Sequence, residues 1–220
     1  MITALGAAAA VSALLAIAAD WEERRHRAFY VLKPLTTLLV VGIALAASPA
    51  APAYQHWIVA ALLLSLAGDV CLMFTHGAGA GAGGTDQRWF IGGLGSFLLA
   101  HGAFAAAFLQ GVAAPDPPGW LAAVVFYAGA LLFVLLPRAG ALKLPVLVYC
   151  LALAAMVFTA AARHAALSDG ASLCALLGAL LFMVSDSALG WRRFVGRFRG
   201  AQALILSTYW SAIGLIAWSV

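Results

Sequence analysis

The sequence predicts an all-α integral membrane bundle of eight transmembrane helices, and three observations lead to this fold class. Of the 220 residues, 65% are hydrophobic and only 9% are charged, whereas soluble domains carry about 25% charged residues. The mean hydropathy is +1.02. Apolar runs close to the roughly 20 residues that cross a hydrocarbon core recur along the chain. Together they exclude a water-soluble enzyme, a DNA-binding domain and a secreted disulfide scaffold.

Charged residues, glycine and proline divide the chain into eight apolar segments, which we treat as one transmembrane domain over residues 1–220. The first segment has no basic residues before it and several after it, which favours a membrane helix over a cleaved signal peptide. The predicted helices cover residues 2–19, 29–47, 57–74, 90–110, 119–136, 144–162, 171–189 and 202–219.

The distribution of basic residues predicts the topology. Ten of the twelve lysines and arginines fall in the loops after the first, third, fifth and seventh helices, and only Arg163 falls in the other loops. Because cytoplasmic loops are enriched in lysine and arginine, we expect eight spans with both termini outside the cytoplasm. The positive charge is thereby explained without a nucleic-acid partner, and a bacterial inner membrane is the expected location.

The cysteines and the Gly-rich stretch give no indication of a disulfide, metal or phosphate site. The three cysteines, Cys71, Cys150 and Cys174, lie in apolar runs and are interpreted as buried thiols. The Gly-rich stretch at 76–84 has neither a preceding strand nor a GK[ST] ending, so it is interpreted as a linker and not as a phosphate cradle. No metal or cofactor is predicted.

Three charged residues lie inside the predicted spans, namely Lys33, Asp69 and Asp186. Each costs about 2.5–3.5 kcal/mol to insert, so each needs a reason to be there. At about 1.5 Å per helical residue, all three lie about 4–8 Å below the cytoplasmic interface. Three different helices therefore place their charges in one layer. The alternatives are that Lys33 snorkels to the interface and that Asp186 is simply solvated.

Several polar residues accompany this layer. Tyr149 lies at a similar depth and Tyr209 slightly deeper, while Ser185 flanks Asp186. Serine hydroxyls often hydrogen-bond between membrane helices, so Ser185 also has a purely structural interpretation. His101 lies near the middle of the membrane, where a packing role is at least as plausible as a catalytic one.

The segment GWRRFVGRFRG at 190–200 combines aromatic residues with four arginines, Arg192, Arg193, Arg197 and Arg199. This pattern is typical of a short interfacial helix on an anionic cytoplasmic leaflet. Two interpretations remain open. The arginines act only as a topology signal, or they also hold a phospholipid head group.

A weak internal repeat relates the two halves of the chain. Lys33-Pro34 near the start of the second helix resembles Lys143-Leu144-Pro145 before the sixth, and Gly68-Asp69 resembles Ser185-Asp186. An offset of four helices makes the halves parallel repeats. On this hypothesis, Asp69 and Asp186 face each other across a pseudo-twofold axis.

An ordered set of motifs runs along nearly the whole chain. It consists of KPLTTLL at 33–39, SLAGDVCLMF at 65–74, FIGGLGSFLLAH at 90–101, PVLVY at 145–149, GALLFMVSDSAL at 178–189 and a last helix containing Tyr209. This ordered set resembles the lysoplasmalogenase (YhhN-like) family of multi-span membrane proteins. Two positions depart from the family pattern: Phe104 stands where a tyrosine is frequent, and Ile213 where a glutamine is expected.

The resemblance implies hydrolysis of the vinyl-ether bond of lysoplasmalogens to a fatty aldehyde and a glycerophospho-base. Such chemistry needs a protonated acid and a carboxylate that activates water, as in glycosidases. Asp69 and Asp186 suit these roles, with Lys33 keeping one carboxylate ionised. The deeper Asp69 is assigned as the acid and Asp186 as the base, although the sequence does not fix their order. Tyr149, Ser185, Tyr209 and His101 are supporting candidates.

Two other classes remain. A small transporter or proton-coupled channel also uses buried charges, but here the charges form one shallow layer and do not trace a path across the bilayer. A non-catalytic lipid-binding protein leaves the two carboxylates unexplained. The expected partners are a lysophospholipid substrate and the anionic leaflet, with the active site on the cytoplasmic side. The sequence says nothing about the oligomeric state.

Overall fold

The computed structural model describes residues 1–20, 27–49, 51–75, 84–112 and 118–220, and these residues form helices joined by turns. Eight of the helices are long and apolar enough to cross a membrane, which confirms the predicted number. Two short 3-10 turns at Leu136–Arg138 and Gly140–Leu142 connect the fifth and sixth helices. The α-helices are α1 Ile2–Ala19, α2 Phe29–Ala46, α3 Pro52–Met73, α4 Gly84–Phe108, α5 Leu121–Leu135, α6 Lys143–Leu167, α7 Gly170–Phe194 and α8 Ala201–Trp218.

Four helices are longer than the apolar segments predict. Helix α4 begins six residues early, α3 begins five residues early, and α6 and α7 each extend five residues further at their C-terminal ends. A charged residue marks the edge of an apolar run but does not interrupt the backbone hydrogen bonds of a helix. Arg163 shows this near the end of α6, where its guanidinium donates to the carbonyl of Gln110 at 2.8 Å and lies 4.3 Å from the ring centre of Tyr54.

The prediction of a separate interfacial helix at 190–200 is wrong. Its first five residues are the last turn of α7, which ends at Phe194, and the following residues form turns up to α8. Gly200 adopts a left-handed conformation with φ of +77°, which glycine tolerates without a steric penalty. The segment is therefore a tight connection between α7 and α8. Residues 76–83 of the Gly-rich stretch, and also Arg24 and Arg25, lie outside the described residues.

Small residues bring two helix pairs into close contact. A Cβ atom on Gly68 of α3 would lie 2.6 Å from the ring of Phe97 on α4, and one on Gly178 of α7 would lie 2.7 Å from the carbonyl oxygen of Ala212 on α8. Membrane helices associate through such close backbone approaches. The two pairs place the segments that carry Asp69 and Asp186 inside the bundle.

The helix neighbours follow a repeated pattern. Helix α3 packs on α4 as α7 packs on α8, and α2 packs on α3 as α6 packs on α7. Helix α8 also packs on α2, and α4 on α6. An offset of four helices converts each of these six contacts into another of them. The pattern supports the hypothesis of parallel halves, which stays a prediction, as does the orientation of the termini.

Candidate active site

Asp69 on α3 lies among donors from two other helices. The ammonium group of Lys33 on α2 is 3.2 Å from its Oδ1 atom. Thr37, one turn further along α2, and Tyr209 on α8 each donate a hydrogen bond of 2.8 Å to Oδ2. Asp69 is only 2% exposed. A buried carboxylate with a cation and two hydroxyl donors is electrostatically satisfied in its ionised form.

Lys33 does not snorkel to the interface. Its side chain is 8% exposed, and it pairs with Asp69 inside the bundle. The distance of 3.5 Å from its Nζ atom to the backbone carbonyl of Asp69 adds a second contact on the same helix. The structure therefore supports the interpretation in which the lysine serves a buried carboxylate.

Asp186 on α7 has different partners. Tyr149 on α6 donates a hydrogen bond of 2.5 Å to its Oδ2 atom, and Nε2 of His101 on α4 lies 3.4 Å from the same oxygen. The 3.4 Å contact does not have hydrogen-bond geometry, and neither ring nitrogen of His101 has a hydrogen-bond partner among the described residues. Asp186 is 8% exposed at its side chain and His101 is fully buried. Solvation of Asp186 by bulk water, the alternative from the sequence, does not describe this environment.

Both carboxylates line one cleft. The cleft encloses about 890 Å³ of empty space, its open mouth included, and Lys33, Ser185 and Tyr209 also line it. The hydroxyl group of Ser185 donates to the carbonyl of Ile205 at 3.0 Å. Ser185 therefore links α7 to α8 as well as forming part of the wall. Tyr149 lies outside this cleft and reaches Asp186 from the other side.

Aromatic rings form the floor between the two carboxylate groups. Phe182 lies edge-on to His101 at 4.9 Å and to Tyr209 at 5.5 Å between ring centres. Phe97 packs edge-on against Tyr209 at 5.8 Å. Phe104 and Ile213, the two departures from the family pattern, are fully buried in the same core but do not line the cleft. These rings connect the partners of Asp69 with those of Asp186.

Arginines line the outer part of the cleft. Arg193 is buried, pairs with Asp86 on α4 at 3.2 Å and lies 4.3 Å from the ring centre of Phe90. Arg192 donates to the side-chain oxygen of Gln202 on α8. Arg197 lines the cleft as well, whereas Arg199 is exposed and is not among its lining residues.

Sequence reasoning missed several partners. Thr37 was visible only as part of the KPLTTLL motif, although a residue four positions after Lys33 shares its helix face. Gln202 connects Arg192 to Asp20, because its amide group donates to the carboxylate of Asp20 at the end of α1. No spacing rule indicates a contact between residues 182 positions apart. Within the described ranges, no group of three or more His, Cys, Asp or Glu side chains is arranged to hold a metal ion.

Comparisons with known proteins extend these observations. The profile of the YhhN family matches residues 28–220. A protein of Mycobacterium tuberculosis named lysoplasmalogenase is 37% identical over 163 residues, which are 71% of this chain and 56% of the relative. The pig and human proteins named lysoplasmalogenase TMEM86B are 34% and 30% identical over 85% and 86% of this chain, and over 72% and 74% of their own lengths. The chain thus spans little more than half of the mycobacterial relative. No solved structure matches it.

Proposed function

The chain belongs to the YhhN family, and from this premise we propose that it is a membrane hydrolase that cleaves the vinyl-ether bond of lysoplasmalogens. The observation that carries the proposal is the pair of buried carboxylates in one cleft, each held by different partners. The products are a fatty aldehyde and a glycerophospho-base. The names of the mammalian and mycobacterial relatives point to the same reaction.

The two carboxylates take different roles in this proposal. Asp69, which is paired with Lys33 and accepts two hydroxyl hydrogen bonds, is the ionised group. Asp186 contacts Tyr149 and a buried histidine, and a low-dielectric site of this kind favours the neutral carboxylic acid. We therefore assign Asp186 as the acid and Asp69 as the carboxylate. This order is the reverse of the assignment made from helix depth.

The proposed reaction consumes only water besides the lipid. Asp186 gives its proton to the vinyl carbon further from the ether oxygen, which leaves an oxocarbenium ion on the neighbouring carbon. Water adds to that carbon and passes a proton to Asp69, forming a hemiacetal. Asp69 then returns the proton to the leaving glycerol oxygen while Asp186 takes the hemiacetal proton, and the aldehyde departs. Both carboxyl groups end as they began.

The arginines at the cleft mouth complete the proposal. Guanidinium groups suit phosphate because they present several donors in a fixed plane. Arg192 and Arg197 line the outer cleft, and we assign them to the head-group phosphate and to the anionic leaflet. The excess of basic residues in the loops on this side supports a cleft that faces the cytoplasm, because cytoplasmic loops are enriched in lysine and arginine.

Aldehyde release tests the proposal. Purified protein in detergent micelles receives a lysoplasmalogen, and fatty aldehyde is trapped and quantified. We expect Asp186→Asn and Asp69→Asn to lose at least 100-fold in rate, because acid–base groups contribute roughly 10²–10⁴-fold. Asp169→Asn, at the exposed N-cap of α7 and away from the cleft, is the matched control because asparagine keeps the capping acceptor. We also expect a bell-shaped pH profile, since one carboxyl group must be protonated and the other ionised.

Two results count against the proposal. Full activity in both aspartate variants refutes the two-carboxylate mechanism. Failure of the wild-type protein to release aldehyde, together with ion or solute flux in liposomes, favours the transporter alternative.

A further inference from the structure

A second cavity lies next to Asp186, between α4, α5, α6 and α7. It encloses about 460 Å³ of empty space, its open side included. Asp186, Phe90 and Leu189 line both this cavity and the cleft. We call it the chain pocket; its remaining lining includes Leu94, Leu131, Leu135, Val146, Cys150 and Leu153.

The chain pocket presents an apolar surface. Tyr149 and Ser187 also line it, but their hydroxyl groups are already hydrogen-bonded. The hydroxyl of Tyr149 donates to Asp186, and that of Ser187 donates to the carbonyl of Met183. The cleft, by contrast, contains Lys33, Asp69 and three arginines. The carboxyl group of Asp186 therefore lies where a charged cavity meets an apolar one.

The chain pocket also approaches the membrane. Leu131 and Ser187 line it and also line a shallow outer groove between α5 and α7, which covers about 1,030 Å³ of empty space with its open side included. Helix α5 faces outward along most of its length: Phe126 is 78% exposed and Phe133 is 82% exposed. The gap between α5 and α7 thus leads from the surrounding lipid to Asp186.

We propose that the chain pocket holds the hydrocarbon chain of the lysolipid, which enters sideways between α5 and α7. The inference rests on the proposed function and names the substrate's second binding region. The cleft carries the arginines and both carboxylates, and the apolar chain pocket adjoins it at Asp186, so the phosphate, the ether linkage and the chain of one lipid each have a matching region. The arrangement also fits the chemistry, since the vinyl carbon that receives the proton is the one on the chain side.

Chain-length selectivity tests the chain pocket. Leu131 is half-buried, so Leu131→Trp narrows the pocket without entering the bundle core. We expect the variant to lose kcat/KM for 16- and 18-carbon chains relative to an 8-carbon chain, by about fourfold for each methylene that the indole displaces. Phe133→Trp, on the same helix but facing lipid, is the control and should keep the wild-type profile.

Cys150 gives a readout that needs no catalysis. In a Cys71→Ser, Cys174→Ser background, an alkyl methanethiosulfonate should modify Cys150. A saturated 1-alkyl lysophosphatidylcholine, which has no vinyl ether to cleave, should protect the thiol at least tenfold. Glycerophosphocholine, the same head group without a chain, should not protect it.

The two readouts separate the two proposals. Protection of Cys150 without aldehyde release from the wild type refutes the hydrolase while supporting the chain pocket. Aldehyde release with no protection of a modified Cys150, or with an unchanged length profile in Leu131→Trp, overturns the chain pocket and leaves the hydrolase standing.

Discussion

Asp69 and Asp186 line one cleft but differ in what surrounds them. Asp69 has an ammonium group and two hydroxyl donors, whereas Asp186 has a phenol and an imidazole. Two carboxylates with unlike surroundings are the usual way for a protein to keep one acid and one base at the same pH. Depth in the membrane carries none of this information, which is why the order expected from depth and the order proposed from the contacts differ.

The buried pair of Lys33 and Asp69 makes a stability prediction. We expect Lys33→Met to destabilise the protein by about 3–5 kcal/mol, because it leaves a buried carboxylate without its cation. Adding Asp69→Asn should restore most of that loss, since replacing both members of a buried pair is often nearly neutral. Unfolding of each variant in mixed detergent micelles measures both effects.

Activity and stability should separate in this double variant. Lys33→Met with Asp69→Asn should fold and still release no aldehyde, because the ionised carboxylate is gone. If the single Lys33→Met variant is as stable as the wild type, the ion pair contributes no net stability and the prediction is wrong.

The sequence located most residues of the candidate site but not the contacts between them. Scarcity of charge was enough to find Lys33, Asp69 and Asp186, because few residues other than functional ones remain charged inside a membrane. Thr37 and Gln202 escaped, since polar uncharged residues are common in helices and their partners lie on other helices. Which side of a helix faces which neighbour depends on packing between distant segments, and a single sequence does not encode that rotation in its spacing.

At the scale of helices, Gly178 holds α7 against α8. A methyl group there would lie 2.7 Å from a backbone oxygen and 2.6 Å from a side-chain carbon of Ile216. Because a backbone oxygen cannot rotate away, we expect Gly178→Ala to destabilise the protein by about 1–3 kcal/mol. Gly214→Ala on α8, where no atom lies within 4 Å of the added carbon, is the control.

Activity should fall with that change as well. Asp186 and Ser185 lie on α7 two turns beyond Gly178, and Tyr209 lies on α8. Separating the helices would move the two carboxylate clusters relative to each other. A Gly178→Ala variant with wild-type unfolding and wild-type aldehyde release would show that the two helices adjust freely.

The start of α7 carries a pH-dependent cap. The backbone N–H and hydroxyl of Ser172 interact with Asp169 in a capping box, with a hydrogen bond of 2.8 Å from the N–H to the carboxylate. These side-chain and backbone hydrogen bonds lower the pKa of Asp169, which lies outside the membrane span. Its stabilising contribution is therefore present above about pH 4, the ordinary aspartate value, and is lost as the pH falls through the lower native pKa.

Asp169→Ala should accordingly unfold at a lower temperature than the wild type at pH 7, because N-cap side chains stabilise helices. The difference should shrink below pH 4, where the wild-type cap becomes protonated. Asp169→Asn keeps an acceptor without the charge, so its unfolding temperature should depend less on pH in that range. Equal pH dependence in all three proteins would contradict the assignment of the cap.

Helix ends were the weakest part of the sequence-based description. Arginine and aspartate near an end were taken to stop a helix, yet α4 and α7 continue through Arg88 and Arg192. Arginine is a good helix former and aspartate an acceptable one, so neither residue type ends a helix by itself. The extension matters, because it brings Arg193 of α7 to Asp86 of α4 and so closes one side of the cleft.

At the scale of the molecule, the two aspartates occupy related places. Asp69 on α3 is contacted from α2 and α8, and Asp186 on α7 is contacted from α6 and α4. The offset of four helices maps one set of helices onto the other. If the two halves share a fold but carry different side chains, each half supplies one carboxyl group in a different environment. The proposed reaction needs two such carboxyl groups, one neutral and one ionised.

Topology is the remaining prediction, and the loops test it. On the positive-inside rule, Arg199 between α7 and α8 faces the cytoplasm and Ser168 between α6 and α7 faces outward. In a background with Cys71, Cys150 and Cys174 replaced by serine, Arg199→Cys and Ser168→Cys each provide one reporter in an exposed turn. A membrane-impermeant maleimide should label Ser168→Cys in intact cells and label Arg199→Cys only after the membrane is opened. The opposite labelling pattern would show that the protein is inserted the other way round. The cleft would then lie on the outer side, where a lysolipid of the cytoplasmic leaflet could not reach Asp186.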